Sequence, residues 1–532
     1  MRRRSLVASG ATALLGSALG RPRLAAAQGA PGRRILRFVP QADLALLDPI
    51  HSVAFVSRNH ALMVYDTLYG WDSNLRAQPQ MVEGHRVEQD GKLWLLRLRE
   101  GLRFHDGEPV RAQDCVASIK RWGQRDGFGQ ALMAATDEVD AADDRTIRFR
   151  LKKPFPLLPD ALAKVGTHVA VMMPERHASL PSSQPVPEMI GSGPFRYVAE
   201  ERLAGARNVY AKNEAYVPRS EPASYLSGGK VVHFDRVEWL TLPDAATASA
   251  ALQRGEVDWW ELPAVDVVPQ LRRARGLKVE ALDPQGAVGF FRPNSLHPPF
   301  DNPAIRRVIM RSVNQRDFMI AAAGEDQRNW HVPYGFFLPG SAMASEEGFD
   351  ILRNPLDAAA ARRELEAAGY KGEKVTFLAA TDFPVINAMS EVAGDLMRRI
   401  GINLDYVAAD WGSVVRRILN QDPPDRGGWN ATVSWTAGSA QANPAGNLLI
   451  RGHGRNAIFG WPTSPDLEAQ RNAWFDAPDD ATRAALGRQM QRQAFQDVPY
   501  VPLGQFFQPT AYRADLDGML KGIALFYGIR RV

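Results

Sequence analysis

The sequence predicts an α/β protein with partly parallel sheets, and three runs carry that expectation. Residues 375–408 read as strand, helix, strand: VTFLAA (375–380), then an apolar stripe of Ile386, Met389, Ala393, Leu396, Met397 and Ile400, then INLDYVA (402–408). That order is a βαβ unit, whose strands lie parallel in one sheet. Residues 236–262 alternate in the same way. RVEWLTL (236–242) is strand-like, Asp244 caps a helix through ATASAALQ, Gly255 stops it, and VDWWEL (257–262) is the next strand. The third run is Asn302-Pro303 before AIRRVIMRSV, a capping side chain followed by proline at the first helical position.

The remaining elements follow from the same local signals. Asp357 opens a helix whose Ala358, Ala361, Leu365 and Ala368 share one face, and Gly369 ends it. LWLLRLR is strand-like and CVASIKRW helix-like, with a turn at Phe104-His105-Asp106-Gly107 between them. Proline- and glycine-rich breaks at 181–194 and 421–428 read as loops or joints, and no internal repeat is found.

Charge separates the first residues from the rest. The 532 residues carry 64 Lys+Arg against 59 Asp+Glu, a formal charge of +5. Residues 1–27 hold Arg2, Arg3, Arg4, Arg21 and Arg23 and no acid, so the remainder has 59 basic against 59 acidic residues. Nucleic-acid binding, which needs a basic surface, loses its support. The segment VASGATALLGSALG followed by Ala25-Ala26-Ala27 has the form of a cleavable export signal. Its paired arginines, Arg3-Arg4, resemble a twin-arginine leader, with an ordinary secretory leader as the alternative. The 505 residues that follow exceed what one core serves, so two or three domains are expected. No apolar stretch long enough to span a membrane occurs among them. The single cysteine, Cys115, excludes a disulfide framework and a Cys-based zinc or iron–sulfur site, and it lies too far along the chain to carry an N-terminal lipid. The mature protein is therefore expected to be periplasmic and not lipid-anchored.

Enzymatic constellations are missing. There is no GxxxxGK[ST] loop, GxSxG elbow or HExxH helix. His105-Asp106 has the composition of an acid/base pair, but its position between strand and helix is that of a turn. Gly452-His453-Gly454 has no second ligand at metal-binding spacing. Trp259-Trp260 reads as core, with ligand stacking as the alternative. No enzyme, metal or cofactor is expected. A secreted hydrolase stands as the alternative without a catalytic set to support it.

Residues 78–122, QPQMVEGHRVEQDGKLWLLRLREGLRFHDGEPVRAQDCVASIKRW, resemble the diagnostic stretch of family 5 extracellular solute-binding proteins, the peptide/nickel-type receptors of ABC importers. LLDPI (46–50), VYDTLYGWD (64–72), IGSGPF (190–195), LPDAATASAALQRGEVD (242–258), NSLHPPFDNPAIRRVIMRSVNQ (294–315), AARRELEAAGY (360–370) and DVPYVPLGQ (497–505) match in family order. The resemblance implies a bilobal periplasmic-binding-protein fold of type II with a two-strand hinge. Lobe one would comprise 28–72 and 190–283, with an extra subdomain at 73–189; lobe two would comprise 284–508, and 509–532 would return to lobe one. It implies a monomer that takes a peptide or small organic solute between its lobes and delivers it to a permease and ATPase. A sensory or chaperone-like binding protein on the same fold is the other implied reading.

One departure bears on the ligand. Dipeptide binders of the family carry an Asp after a Trp and an Arg on lobe two; here those positions align with Gly438 and Ala380. Loss of both anchors implies that the ligand is not a free dipeptide. By position, the implied lining is Val53, Ala54 and Phe55, Gly191 and Ser192, and, on lobe two, Arg292, Thr381, Asp382, Trp435, Gly438 and Ser439. Trp435 either faces the ligand or ends a strand in the core. Arg292 either meets an acidic ligand group or is a structural ion pair.

Overall fold

The computed structural model describes residues 34–532. The leader expected at 1–27 lies outside the described residues. Two sheets organise the rest. The first has seven strands in the order Phe195–Tyr197, Arg207–Lys212, Arg236–Leu240, Ile35–Val39, Trp259–Trp260, Thr510–Arg513 and Leu277–Glu280. Its centre is parallel, Ile35–Val39 pairing with Arg236–Leu240 on one side and Trp259–Trp260 on the other. The second has six strands: Trp330–His331, Val501–Phe506, Ala287–Pro293, Ala431–Ala437, Lys374–Ala380 and Asn403–Ala409.

The expected βαβ unit is present. Lys374–Ala380 runs parallel to Asn403–Ala409, and helix Pro384–Arg399 between them buries Ile386, Met389, Ala393, Leu396 and Met397. The capping residues act as their chemistry dictates. Asp244, Asn302 and Asp357 accept hydrogen bonds from the backbone N–H groups of Thr247, Ala304 and Ala360. Gly255 closes its helix in the left-handed conformation at φ 73°.

Between the first-sheet strands lies a smaller antiparallel sheet, Val82–Glu88, Leu93–Leu98, Thr146–Leu151 and Thr136–Asp143, with helix Ala112–Gly123 against it. Asp48 of the LLDPI run anchors this region. Its carboxylate accepts from Arg121 Nη2 at 2.9 Å and from the Val186 N–H, and the pair is 1% exposed on each side. A desolvated pair of this kind needs both partners, because either charge alone is costly to bury.

The chain passes from the first sheet to the second through 281–286 and returns through 507–509. The strands flanking the crossings pair on both sides, Glu280 opposite Thr510 and Ala287 opposite Phe506, so the two crossings run side by side. Gly286 sits there at φ 57°, and a Cβ would lie 2.5 Å from the Phe506 carbonyl oxygen. Only glycine meets both constraints. No described helix is long and apolar enough to cross a membrane.

Candidate functional site

A cavity of about 100 Å³ lies where the two sheets face each other beside the crossings. On the first-sheet side it is built just past the C-terminal ends of the parallel strands Ile35–Val39 and Trp259–Trp260, the edge at which open α/β sheets place ligands. Gln41 and Glu261 follow those strands directly. The Glu261 carboxylate accepts from the Gln41 N–H at 2.8 Å, Gln41 Nε2 at 3.1 Å and Asn59 Nδ2 at 2.8 Å. Asn59 Oδ1 in turn accepts from Arg58 Nε and Nη2 at 3.2 and 3.0 Å. Burial raises the Glu261 pKa, and the hydrogen bonds oppose that rise.

Arg58 and Asn59 stand on helix Phe55–Val64, which is buried over every residue after Phe55. The Arg58 guanidinium lies 4.8 Å from the Phe55 ring centroid, and its Nη1 has no acceptor among the described residues. Burial lowers its pKa, while Tyr225, Asp283 and Glu261 oppose that shift. Asp283, on the first crossing, accepts from the Gln285 N–H, and burial raises its pKa. His60, one residue further along the helix, is held neutral: burial pulls its pKa down to about 3, and its Nδ1 shares a hydrogen bond with Tyr210.

The second-sheet side is aromatic. Phe55 stacks on Trp435 across the gap, ring centroids 5.7 Å apart and planes 26° from parallel. Phe383 lies 6.4 Å from Trp435 and 5.9 Å from Trp411. The arrangement offers flat apolar walls and a buried cation beside two carboxylates, which suits the binding of a solute.

Of the residues expected at the cleft, the structure brings Phe55 and Trp435 together on the cavity wall. Val53 is 64% exposed, and Ala54 is an exposed helix-start residue. Gly191 and Ser192 pack against the end of the Phe55 helix, where a Cβ on Gly191 would meet the Val64 carbonyl oxygen at 2.1 Å. Thr381 and Asp382 are exposed; Thr381 bonds to Ala409, and Asp382 accepts from the Trp411 N–H. Gly438 and Ser439 are buried beside the first crossing, Gly438 donating to the Gly286 carbonyl. A Cβ on Gly438 would fall 1.9 Å from the Gln285 carbonyl oxygen, so the crossing itself excludes a side chain there.

Arg292 requires a correction. It is fully buried, with no carboxylate within ion-pair distance among the described residues; its guanidinium donates to the carbonyls of Phe459, Leu449, Pro499 and Ile458. Burial lowers its pKa to about 9. The His105-Asp106 turn is structural in its contacts. His105 Nε2 donates to the Gly193 carbonyl, and Asp106 pairs with Arg176. Arg58, Asn59, Gln41, Glu261 and Asp283 were not expected from sequence. The available signal was the polar run Ser57-Arg58-Asn59-His60 inside a helix otherwise apolar, together with an acid directly after two tryptophans.

The pattern that defines bacterial extracellular solute-binding proteins, family 5 Middle, matches residues 76–456. The chain belongs to this family. As a family 5 protein it is a solute-binding receptor and not an enzyme. It is 37% identical over 97% of both chains to a protein of Sinorhizobium fredii named "Probable peptide ABC transporter periplasmic-binding protein y4tO". Among solved structures it is similar to the periplasmic binding protein AgaA in complex with agropinic acid from A. tumefaciens, with a TM-score of 0.77 and 18% identity over 94% of this chain and 99% of that one. It is equally similar to DppA of Helicobacter pylori in complex with the peptide STSA, TM-score 0.77 and 20% identity over 94% and 98%. These two likenesses establish the bilobal α/β fold of the family 5 protein.

Proposed function

We propose that this family 5 protein is the periplasmic receptor of an ABC importer, capturing a peptide or peptide-like solute between its lobes for a permease and ATPase. The observation that carries the reading is the Phe55–Trp435 stack, which joins the first-sheet and second-sheet halves directly over a cavity bounded by the crossings. Closure about those crossings brings the two rings together, and a solute bound by both halves favours the closed form. The name of the Sinorhizobium fredii relative supports peptide transport. In this reading lobe one is 28–72 and 190–283 with its subdomain at 73–189, lobe two is 284–508, and 509–532 returns to lobe one. The leader at 1–27 directs export by the twin-arginine route, and the receptor works as a monomer without a lipid anchor.

The natural ligand in this reading is not a free dipeptide, since Gly438 and Ala380 stand where an acid and an arginine would hold one. Mass spectrometry of solute released from gently purified, then denatured protein is expected to give one consistent peptide-like compound. Turnover of that compound by the protein would overturn the receptor reading. Calorimetric titration with a panel of free dipeptides is expected to show no micromolar binding; such binding would overturn the ligand assignment alone.

A further inference from the structure

A second, larger space of about 780 Å³ lies between the subdomain and the half built on the second sheet, with Trp71 and Asp160 on one wall and Trp474 and Arg483 on the other. Beside it the two parts touch through three phenylalanine rings. Phe475 of the second-sheet half stacks on Phe155 at 6.1 Å and 19° and lies 5.8 Å from Phe128, both of the subdomain. Phe128 and Phe155 meet edge to face at 6.3 Å. All three are buried, Phe475 being the most exposed at 6%. Neither the lining of the larger space nor that of the cavity at the crossings includes them.

Each ring is positioned by its own side of the contact. Asp126 caps helix Gly127–Ala135, accepting from the Phe128 and Gly129 N–H groups, and so fixes the turn that carries Phe128. Phe155 stands between Pro154 and Pro156, which restrict the backbone on both sides of it. Phe475 lies in the last turn of helix Pro465–Asp476. The Arg471 guanidinium, one turn earlier, is 4.7 Å from its ring centroid, and Trp474 meets the ring edge-on at 5.2 Å. Rings held in place beforehand lose little freedom on meeting, so more of the contact energy favours closure. Lys153 and Asp476 flank them as an exposed ion pair, which adds little. Opening about the crossings would return the rings to water, which is unfavourable in proportion to the apolar area exposed. That resistance acts with or without a solute.

We propose that the three rings are a latch: Phe475, clasped by Phe128 and Phe155, holds the two halves together independently of solute, so that the closed form predominates in the solute-free receptor. The inference rests on the receptor reading, in which the halves open and close about the crossings, and adds to it a closing contact that the solute never touches. The latch also separates two quantities that a single closing contact would merge. Contacts in the cavity set which solute is held, while the latch sets how large a fraction of the protein is closed before the solute arrives.

The test is small-angle X-ray scattering of protein freed of solute by unfolding in guanidinium and refolding, for wild type, Phe475→Ala and Phe155→Ala. Wild type is expected to scatter mainly as the compact, closed form. Phe155→Ala removes one ring pair across the contact and is expected to shift the closed-to-open ratio about tenfold toward open; Phe475→Ala removes both and is expected to shift it further. Both variants should therefore show a larger radius of gyration. A solute-free wild type that scatters as an open form, or equal radii in all three proteins, overturns the proposal. So does an increase in Phe475→Ala alone, since a latch has to open when cut from either side. Circular dichroism and cooperative melting like those of wild type show that an enlarged variant is open and not unfolded; if Phe475→Ala fails that check, Phe128→Ala takes its place as the second cut. Recovery of one consistent solute from native protein, together with equal radii in the solute-free forms, leaves the receptor reading standing and removes the latch.

Discussion

The two spaces between the halves of this receptor treat charge in opposite ways. At the crossings, Arg58, Asn59, Glu261 and Gln41 form a chain of hydrogen bonds within one half, so the buried cation and acid support each other before any solute arrives. In the larger space between Trp71 and Trp474, Asp160 is only half-buried, its own backbone N–H and Arg483 favouring the ionised form against burial. The network at the crossings is incomplete at Arg58 Nη1, which has no acceptor among the described residues, and an incomplete buried network is poised for a ligand that completes it. The lesson is that chemical type alone does not identify a binding charge; the count of its protein partners does.

The same kind of surgery should therefore have opposite signs in the two places. Arg58→Met leaves Glu261 and Asp283 without their cation and is expected to cost about 3 kcal/mol at pH 7.5 by denaturant unfolding. That cost should fade on acidification, because burial already raises both carboxyl pKa values and protonation removes the orphaned charges. Asp160→Asn should instead stabilise the solute-free protein by about 2–3 kcal/mol at pH 7.5. The sign follows from linkage. Between the ordinary carboxyl value of 3.8 and the folded value of about 6, folded Asp160 retains a proton that the unfolded chain has lost. Wild-type stability thus falls as pH rises through that window, and the advantage of the variant opens there and vanishes below pH 4. A melting temperature lowered by Asp160→Asn at pH 7.5 would erase the contrast.

Closure gives a finer comparison. Phe55→Ala removes the ring contact at the crossings and should weaken binding of the co-purifying solute about tenfold by calorimetry, consistent with ~1.4 kcal/mol per decade. Lys153→Ala removes a pair whose side chains are 54% and 51% exposed, and its effect on stability should stay below about 1 kcal/mol and shrink further in high salt. If Lys153→Ala matched Phe55→Ala in its effect on affinity, the Lys153–Asp476 pair and not the ring stack would be the dominant closing contact.

The parts of the fold legible in the sequence are those set by neighbours in the chain. Asp244, Asn302 and Asp357 begin helices through hydrogen bonds two or three residues away, and the stripe from Ile386 to Met397 reports one buried face. The site was less legible because its bonds join distant residues. Glu261 meets Gln41 across 220 positions and Asn59 across 202. Arg292 misled for the complementary reason: a lone arginine in a strand looks the same whether it awaits a carboxylate or donates to four carbonyls. Asp160, in the short helix Leu158–Leu162, reads as an ordinary first-turn acid until the fold partly buries it near Arg483.

Gly438 carries a consequence for descent. Because a Cβ there would fall 1.9 Å from the Gln285 carbonyl oxygen, a lineage with this crossing cannot acquire an acidic anchor at that position by one codon change. The backbone of the crossing would have to move first, and every intermediate would bear the collision. Ligand preference in such a lineage is therefore inherited through connector geometry, and new specificities have to arise elsewhere on the walls.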